Sequence, residues 1–201
     1  MKFKIGVFGS AVTESTMAME KARELGQLLA QKGVIVVTGG CLGIPYAAAH
    51  EAAKHGATVW GFSPEVDEAR QKKVYDKDNI AIYQRLFYVP QNYRDLFFAH
   101  EAGGSYPEDQ ARKKYRNVLS TALVDAGIII SGRWGTMNEF TNLHDMGKVI
   151  GVLTGTGGVA DDLSSLSKKI HKPSKAVVIF DSSPEQLVKR ILEELKHRRV
   201  A

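Results

Sequence analysis

The chain has 201 residues, of which 44% are hydrophobic and 24% charged, so it is long enough to bury one sizeable core. Its net charge is +5, from 27 basic and 22 acidic residues, which favours anionic ligands. The basic residues lie in small scattered groups, and no apolar run approaches the ~20 residues that span a bilayer, so we expect no nucleic acid and no membrane as partners.

The first part of the chain alternates between short apolar runs and segments whose apolar residues have helical spacing. The runs predict β-strands, and the spacing of Ala18, Ala22 and Leu25 predicts an amphipathic helix. We predict strands at residues 4–9, 34–37 and 58–62, and helices at 16–32 and 44–55.

Residues 63–104 have no clear periodicity and contain one plausible strand, near residues 85–89. Their aromatic side chains argue against disorder, so we expect a lid or an interface insertion. We also expect a homodimer or a higher homo-oligomer, by analogy with the fold class and because the stretch from Tyr83 to Phe98 is rich in aromatic residues.

Regular alternation returns at Ser105-Tyr106-Pro107-Glu108, where a serine and a glutamate have the spacing of a capping box. The helix that begins there is predicted to continue to about residue 126. Further along the chain we predict strands at 127–130, 149–153 and 176–180, and helices at 136–146 and 184–197. A glycine-rich loop at residues 155–158 precedes a short irregular or helical segment.

Apolar strands linked by helices predict an α/β fold: a doubly wound, mostly parallel, Rossmann-like sheet in a single domain that spans residues 1–201. In such a sheet, ligands bind at the switch point, beyond the carboxyl ends of the strands. We expect the switch point between strand 4–9 and strand 127–130. The loop Gly9-Ser10-Ala11 and the turn from Gly132 to Thr136 would then face each other.

The turn after strand 127–130 carries the strongest chemical signal. A helix N-terminus that follows a central strand offers free N–H groups and a positive dipole end, which suit a phosphate. We therefore predict phosphate or nucleotide binding by Gly132, Arg133, Trp134, Gly135 and Thr136. Glu139 would bring a carboxylate beside that site. A structural alternative is that Thr136 and Glu139 form a capping box.

Arg116 is the candidate partner of Glu139. It shares a predicted helix face with Leu119 and Leu123. An arginine on an apolar face either extends its head group to water, which is the structural alternative, or finds an anion. The second possibility makes Arg116 and Glu139 a candidate catalytic pair.

Several cofactor motifs are absent. The first strand lacks the G-x-G-x-x-G turn, and there is no P-loop lysine, which disfavours NAD and ATP but leaves a mononucleotide possible. His50 and His55 are one residue too far apart for an H-E-x-x-H zinc motif. The single cysteine, Cys41, excludes an internal disulfide and favours a reducing, cytoplasmic location. We expect no cofactor and no metal.

Two motifs resemble the Lonely Guy (LOG) phosphoribohydrolases, a family whose relatives are often labelled possible lysine decarboxylases. Arg116 is followed 23 residues later by the glutamate of a Gly-x-x-Gly-Thr-x-x-Glu turn, as in that family. The segment Thr38-Gly39-Gly40-Cys41-Leu42-Gly43 is similar to the family's glycine turn after strand two. The resemblance implies that Arg116 and Glu139 are catalytic residues.

Three positions depart from the family's usual pattern. Ser131 and Arg133 replace a proline and a glycine, and Asn117 replaces a lysine. The pair Arg116-Asn117, together with the glycine loop at 155–158, looks more like a sister branch that includes proteins similar to the molybdenum cofactor carrier. In that branch, binding matters more than catalysis.

The leading hypothesis is a LOG-like enzyme that hydrolyses the N-glycosidic bond of a nucleoside 5′-monophosphate and releases the base and ribose 5-phosphate. Arg116 would orient Glu139 and keep it ionised, or would neutralise the phosphate. The predicted nucleotide site is completed by Gly9, Ser10, Gly39 and Gly40. The alternatives are a non-catalytic carrier or sensor of a nucleotide-like or molybdopterin-type phosphate, and an oligomer with a vestigial crevice.

Overall fold

The structure is a computed structural model, and it describes residues 1–12, 15–90, 108–170 and 172–200. Within these ranges, seven strands pair in one parallel sheet. They are β1 (Lys4–Gly9), β2 (Ile35–Thr38), β3 (Thr58–Phe62), β4 (Arg85–Phe87), β5 (Ala126–Ile130), β6 (Val149–Leu153) and β7 (Val177–Asp181). Their spatial order is β4-β3-β2-β1-β5-β6-β7.

Helices cover both faces of this sheet. They are α1 (Thr16–Gln31), α2 (Ile44–Lys54), α3 (Glu68–Val74), α4 (Glu108–Leu123), α5 (Trp134–Asp145), α6 (Val159–Lys169) and α7 (Pro184–Val200), with one 3₁₀ turn at Ile80–Ile82. One core joins the strands to α1, α2 and α7, and the other joins them to α5 and α6. Within the described residues, no helix has the length and apolar character needed to cross a bilayer.

The central strands explain why the sheet is parallel and covered on both faces. Every residue of β5 is buried. Its alternate side chains serve opposite cores: Ile128 and Ile130 belong to one, and Ile129 to the other. A strand that is apolar on both faces needs helices above and below it, and βαβ crossovers supply them. The predicted fold class is therefore confirmed.

The switch point lies between β1 and β5, as predicted, because the chain builds the sheet outward from these two neighbours in opposite directions. The predicted strands match the structure to within about two residues at each end. The described part of the 63–104 segment contributes α3, the 3₁₀ turn and β4, and β4 extends the same sheet beside β3. The predicted capping serine, Ser105, lies outside the described residues.

Candidate functional site

A cavity of about 430 Å³ opens at the switch point. β1 and β5 pair in register up to Gly9 and Ile130, so the loops that follow both strands begin at the same edge of the sheet. We call this cavity the switch-point cleft. Its walls come from the loop after β1, from α4, and from the first turns of α5.

The tip of α5 points free backbone N–H groups at the cleft. The helix begins at Trp134, and its N-cap residue, Arg133, makes no capping hydrogen bond with its side chain. The N–H of Met137 donates to the carbonyl of Arg133 at 2.9 Å, so the N–H groups of residues 134–136 precede the first intrahelical hydrogen bond. This tip has the geometry of an anion site.

The structure excludes the capping-box alternative for Glu139. We predicted a helix start at Thr136, but the helix begins two residues earlier. Thr136 is therefore the third helical residue rather than the N-cap. Glu139 lies beyond the first turn, where its carboxylate cannot reach the N-cap N–H as a capping box requires.

The turn before this tip has an unusual backbone that needs support. Ser131 has a φ of +49°, and Gly132 has a φ of +102°, where an added Cβ would collide with the side chain of Thr136. The Thr156 hydroxyl accepts the N–H of Ser131 at 2.8 Å and donates to the Leu153 carbonyl at 2.7 Å. The glycine loop at 155–158 therefore stabilises this turn through the Thr156 hydroxyl.

Arg116 extends from α4 to the wall of the cleft, with only 7% of its surface exposed. Its Nη2 atom lies 3.8 Å from the Cys41 sulfur, and its buried Nε atom makes no hydrogen bond. An added Cβ on Gly39 would collide with the guanidinium group. Gly39 is therefore needed as space for Arg116, and neither Gly39 nor Gly40 lines the cleft.

Glu139 is 6% exposed and lies on the inner side of the cleft. Burial raises the pKa of its carboxyl to about 7, although the positive charges of Arg116 and Lys114 act in the opposite direction. In the part of the chain that the structure describes, no direct ion pair joins Arg116 to Glu139. Burial thus has a larger effect than Arg116 on the pKa of Glu139, and the expectation that Arg116 keeps this carboxyl ionised stays a prediction.

Asn117 connects the two helices that carry these residues. Its Nδ2 atom donates to Asn138 Oδ1 at 3.0 Å and to the carbonyl oxygen of Gly135 at 3.4 Å. The residue is 3% exposed, and it occupies the position at which the LOG pattern has a lysine. Asn117 thus fixes α4 against the tip of α5 instead of adding a charge there.

Most predicted site residues meet in the cleft: Gly9, Ser10, Arg116, Arg133, Trp134, Gly135, Thr136 and Glu139. Gly132, Gly39 and Gly40 do not line it: Gly132 lies against Thr136, Gly39 against the Arg116 guanidinium, and Gly40 against the backbone of residues 62–63. The structure also brings in four residues that the sequence interpretation missed: Tyr75, Gln110, Lys113 and Lys114. Lys113 precedes Arg116 by one helical turn, so the pattern could have revealed it; nothing in the aperiodic 63–104 segment marks Tyr75.

Among the described residues, the cleft wall carries four cationic side chains and one buried carboxyl. Lys113, Lys114, Arg116 and Arg133 line it, and Glu139 supplies the carboxyl. Among the described residues, no group of three His, Cys, Asp or Glu side chains is placed to hold a metal ion. The arrangement can hold an anion and place a titrating carboxyl beside it.

Comparison with known proteins supports the resemblance found in the sequence. The model of the SLOG cluster4 family, from a LOG-related superfamily, matches residues 2–86. This match covers β1 to β3 and most of β4, and it does not extend to Arg116 or Glu139. No curated protein is significantly similar to the chain in sequence.

Several solved structures share the whole fold. The protein TM1055 has a TM-score of 0.72 and 21% identity, covering 96% of this chain and 99% of its own. The molybdenum cofactor binding protein of Rippkaea orientalis has a TM-score of 0.67 and 19% identity, covering 97% and 98%. DNA processing protein A of Helicobacter pylori, which binds single-stranded DNA, has a TM-score of 0.63 and 16% identity, covering 96% and 82%.

Proposed function

We propose that the protein hydrolyses the N-glycosidic bond of a nucleoside 5′-monophosphate, releasing the free base and ribose 5-phosphate. The observation that carries this proposal is the environment of Glu139. Its carboxyl is buried, has a pKa of about 7, and lies in the same cleft as Arg116 and an uncapped helix N-terminus. This combination provides an anion site and a titrating group at one place.

The phosphate would bind at the tip of α5. Residues 134–136 offer backbone N–H groups, and the helix dipole favours a dianion there. Lys113 and Arg133 line the same cleft and add positive charge. The Thr136 hydroxyl would complete the set of donors.

Glu139 would act on the sugar. As the C1′–N bond breaks, positive charge develops on the ribose ring, as in glycoside hydrolysis. Ionised Glu139 would stabilise that charge and take a proton from the attacking water, whose oxygen bonds to C1′. The proton is finally delivered to the departing base nitrogen. Arg116 would neutralise phosphate charge.

The direct test is base release from AMP and GMP, followed by chromatography, with ribose 5-phosphate measured separately. Glu139→Gln is expected to lower the rate by roughly 10²–10⁴-fold, the range for loss of a general acid or base. Glu24→Gln, on an exposed position of α1, is the matched control and should leave the rate unchanged. Equal rates for wild type and Glu139→Gln would refute the assignment.

The pH dependence provides a second test. If the ionised carboxylate is the active form, kcat/KM should rise with pH and level off above the Glu139 pKa of about 7. A rate that falls above that pH would instead identify protonated Glu139 as an acid. A rate that is flat from about pH 5 to 9 would contradict a role for this residue in the chemistry.

A carrier of a nucleotide-like or molybdopterin-type phosphate is the second candidate. Two features favour it: Arg133 occupies the helix tip, and Asn117 fixes α4 to α5 where a lysine would add charge. The structural similarity to a molybdenum cofactor binding protein points the same way. Saturable binding of AMP or molybdopterin by wild type, without release of any base, would support this candidate over the enzyme.

A further inference from the structure

Trp134 is a large aromatic side chain left in solvent at the entrance of the switch-point cleft. It is 83% exposed, whereas the other tryptophan, Trp60, packs edge-on against Phe87 with ring centroids 6.0 Å apart. An indole in water contributes little to the core. The position of Trp134, rather than its burial, therefore needs an explanation.

That position is fixed by the phosphate-binding tip. Trp134 is the first residue of α5, so its backbone N–H belongs to the proposed anion site, and the residue is one of those that line the cleft. At the next residue, Gly135, no atom outside its own helix and chain neighbours lies within 4 Å of where a Cβ would be, so the surface of this turn of α5 is open. A ligand whose phosphate sits on the tip would pass this open space.

Most of the other described residues that line the cleft have polar or charged side chains. Among the described residues that line it, the aromatic side chains are Trp134 and Tyr75. They belong to opposite halves of the sheet, because Tyr75 follows α3 and Trp134 begins α5. Tyr75 is half-buried, whereas Trp134 is mostly exposed, so Trp134 is the more accessible of the two rings.

We propose that Trp134 is the stacking platform for an aromatic heterocycle of the ligand whose phosphate occupies the tip of α5. This inference rests on the proposed function, which supplies the phosphate site. Stacking uses the π-face that every nucleobase and pterin presents, so it discriminates weakly between bases. The site would therefore select a phosphate joined to an aromatic ring, with little preference among rings.

Tryptophan fluorescence tests the stacking directly. The variant Trp60→Phe, Glu139→Gln retains Trp134 as its only tryptophan and removes the proposed catalytic group. AMP should quench its emission in a saturable way. Ribose 5-phosphate, which lacks the ring, should raise the melting temperature without comparable quenching.

Binding measurements separate stacking from a general effect on the tip. Trp134→Leu should weaken AMP binding by roughly 5- to 100-fold, the range for one base–aromatic contact, and leave ribose 5-phosphate binding unchanged. Trp134→Phe should restore most of the loss. Tyr75→Leu is the comparator from the opposite wall and should have the smaller effect.

Three outcomes would overturn the inference. Equal loss of AMP and ribose 5-phosphate binding in Trp134→Leu would show that the indole only shapes the tip. A larger loss in Tyr75→Leu would place the ring on the other wall. If wild type binds neither ligand, the phosphate site itself fails, and the proposed function fails with it.

Discussion

Replacing Glu139 with glutamine gives a quantitative test of the buried carboxyl. The pKa of Glu139 rises from 4.5 to about 7 in the folded protein, mainly because burial disfavours the charged form. At about 1.36 kcal/mol per pKa unit, this corresponds to about 3 kcal/mol. Glutamine has nearly the same shape and no charge, so Glu139→Gln should remove that cost.

The sign of the effect follows from proton binding. Between the unfolded pKa of 4.5 and the folded value of about 7, the folded protein binds more protons at Glu139 than the unfolded chain does. The free energy of unfolding therefore falls as the pH rises through this window. Below it the group is neutral in both states, and above it the penalty is constant.

The measurement is urea unfolding of wild type and Glu139→Gln at about pH 4.5, 6 and 8. The variant should gain up to about 3 kcal/mol over wild type between the lowest and highest pH, or roughly 6–12 °C in melting temperature. Glu24→Gln, which removes an exposed carboxylate, should show no such gain. A difference between wild type and Glu139→Gln that does not change with pH would refute the reasoning.

Three further predictions concern other contacts, and a fourth concerns the oligomeric state. Gly39→Ala should displace the guanidinium of Arg116 and lower base release, or AMP binding if the protein is a carrier, more than it lowers the melting temperature. Thr156→Val leaves the buried N–H of Ser131 without its acceptor, and urea unfolding should show a loss of about 1–3 kcal/mol. Burial raises the pKa of Asp78 to about 6, and its two buried oxygens have no hydrogen-bond partner, so Asp78→Asn should stabilise the protein at pH 8 relative to pH 4 in thermal unfolding; a pH-independent effect would contradict this. Light scattering at micromolar concentration should give the mass of a dimer or a larger oligomer, and a monomer mass would contradict this expectation.

The central strands could be predicted because their uninterrupted apolar sequence is enough to determine them. The residues of β5 are apolar without interruption, and only a strand covered on both faces accommodates such a run. The start of α5 was predicted two residues late because the Arg133-Trp134-Gly135 segment has no capping side chain and includes a poor helix former, glycine. There the surrounding turn determines the helix start, and local propensity does not.

The chemistry of the site was harder to predict because it depends on tertiary burial. The sequence placed Arg116 and Glu139 at one edge of the sheet, and both line the switch-point cleft; the anion site that it indicates at the tip of α5 stays a prediction. It could not indicate that burial has a larger effect than Arg116 on the pKa of Glu139, because the depth of a side chain depends on helices distant in sequence. The same holds for Gly39, whose missing Cβ matters only because α4 brings Arg116 against it.

The cost of burying Glu139 bears on the choice between enzyme and carrier. A carboxyl with a raised pKa destabilises the folded protein above its pKa, and its negative charge would repel a phosphate in the same cleft. A pure anion-binding site would be more stable and bind more tightly with glutamine there. If Glu139→Gln binds AMP more tightly and melts higher, yet releases no base, then the carboxylate serves chemistry at the expense of both stability and affinity. If the variant binds AMP more weakly, Glu139 contacts the sugar as a ligand, and the carrier becomes the better description.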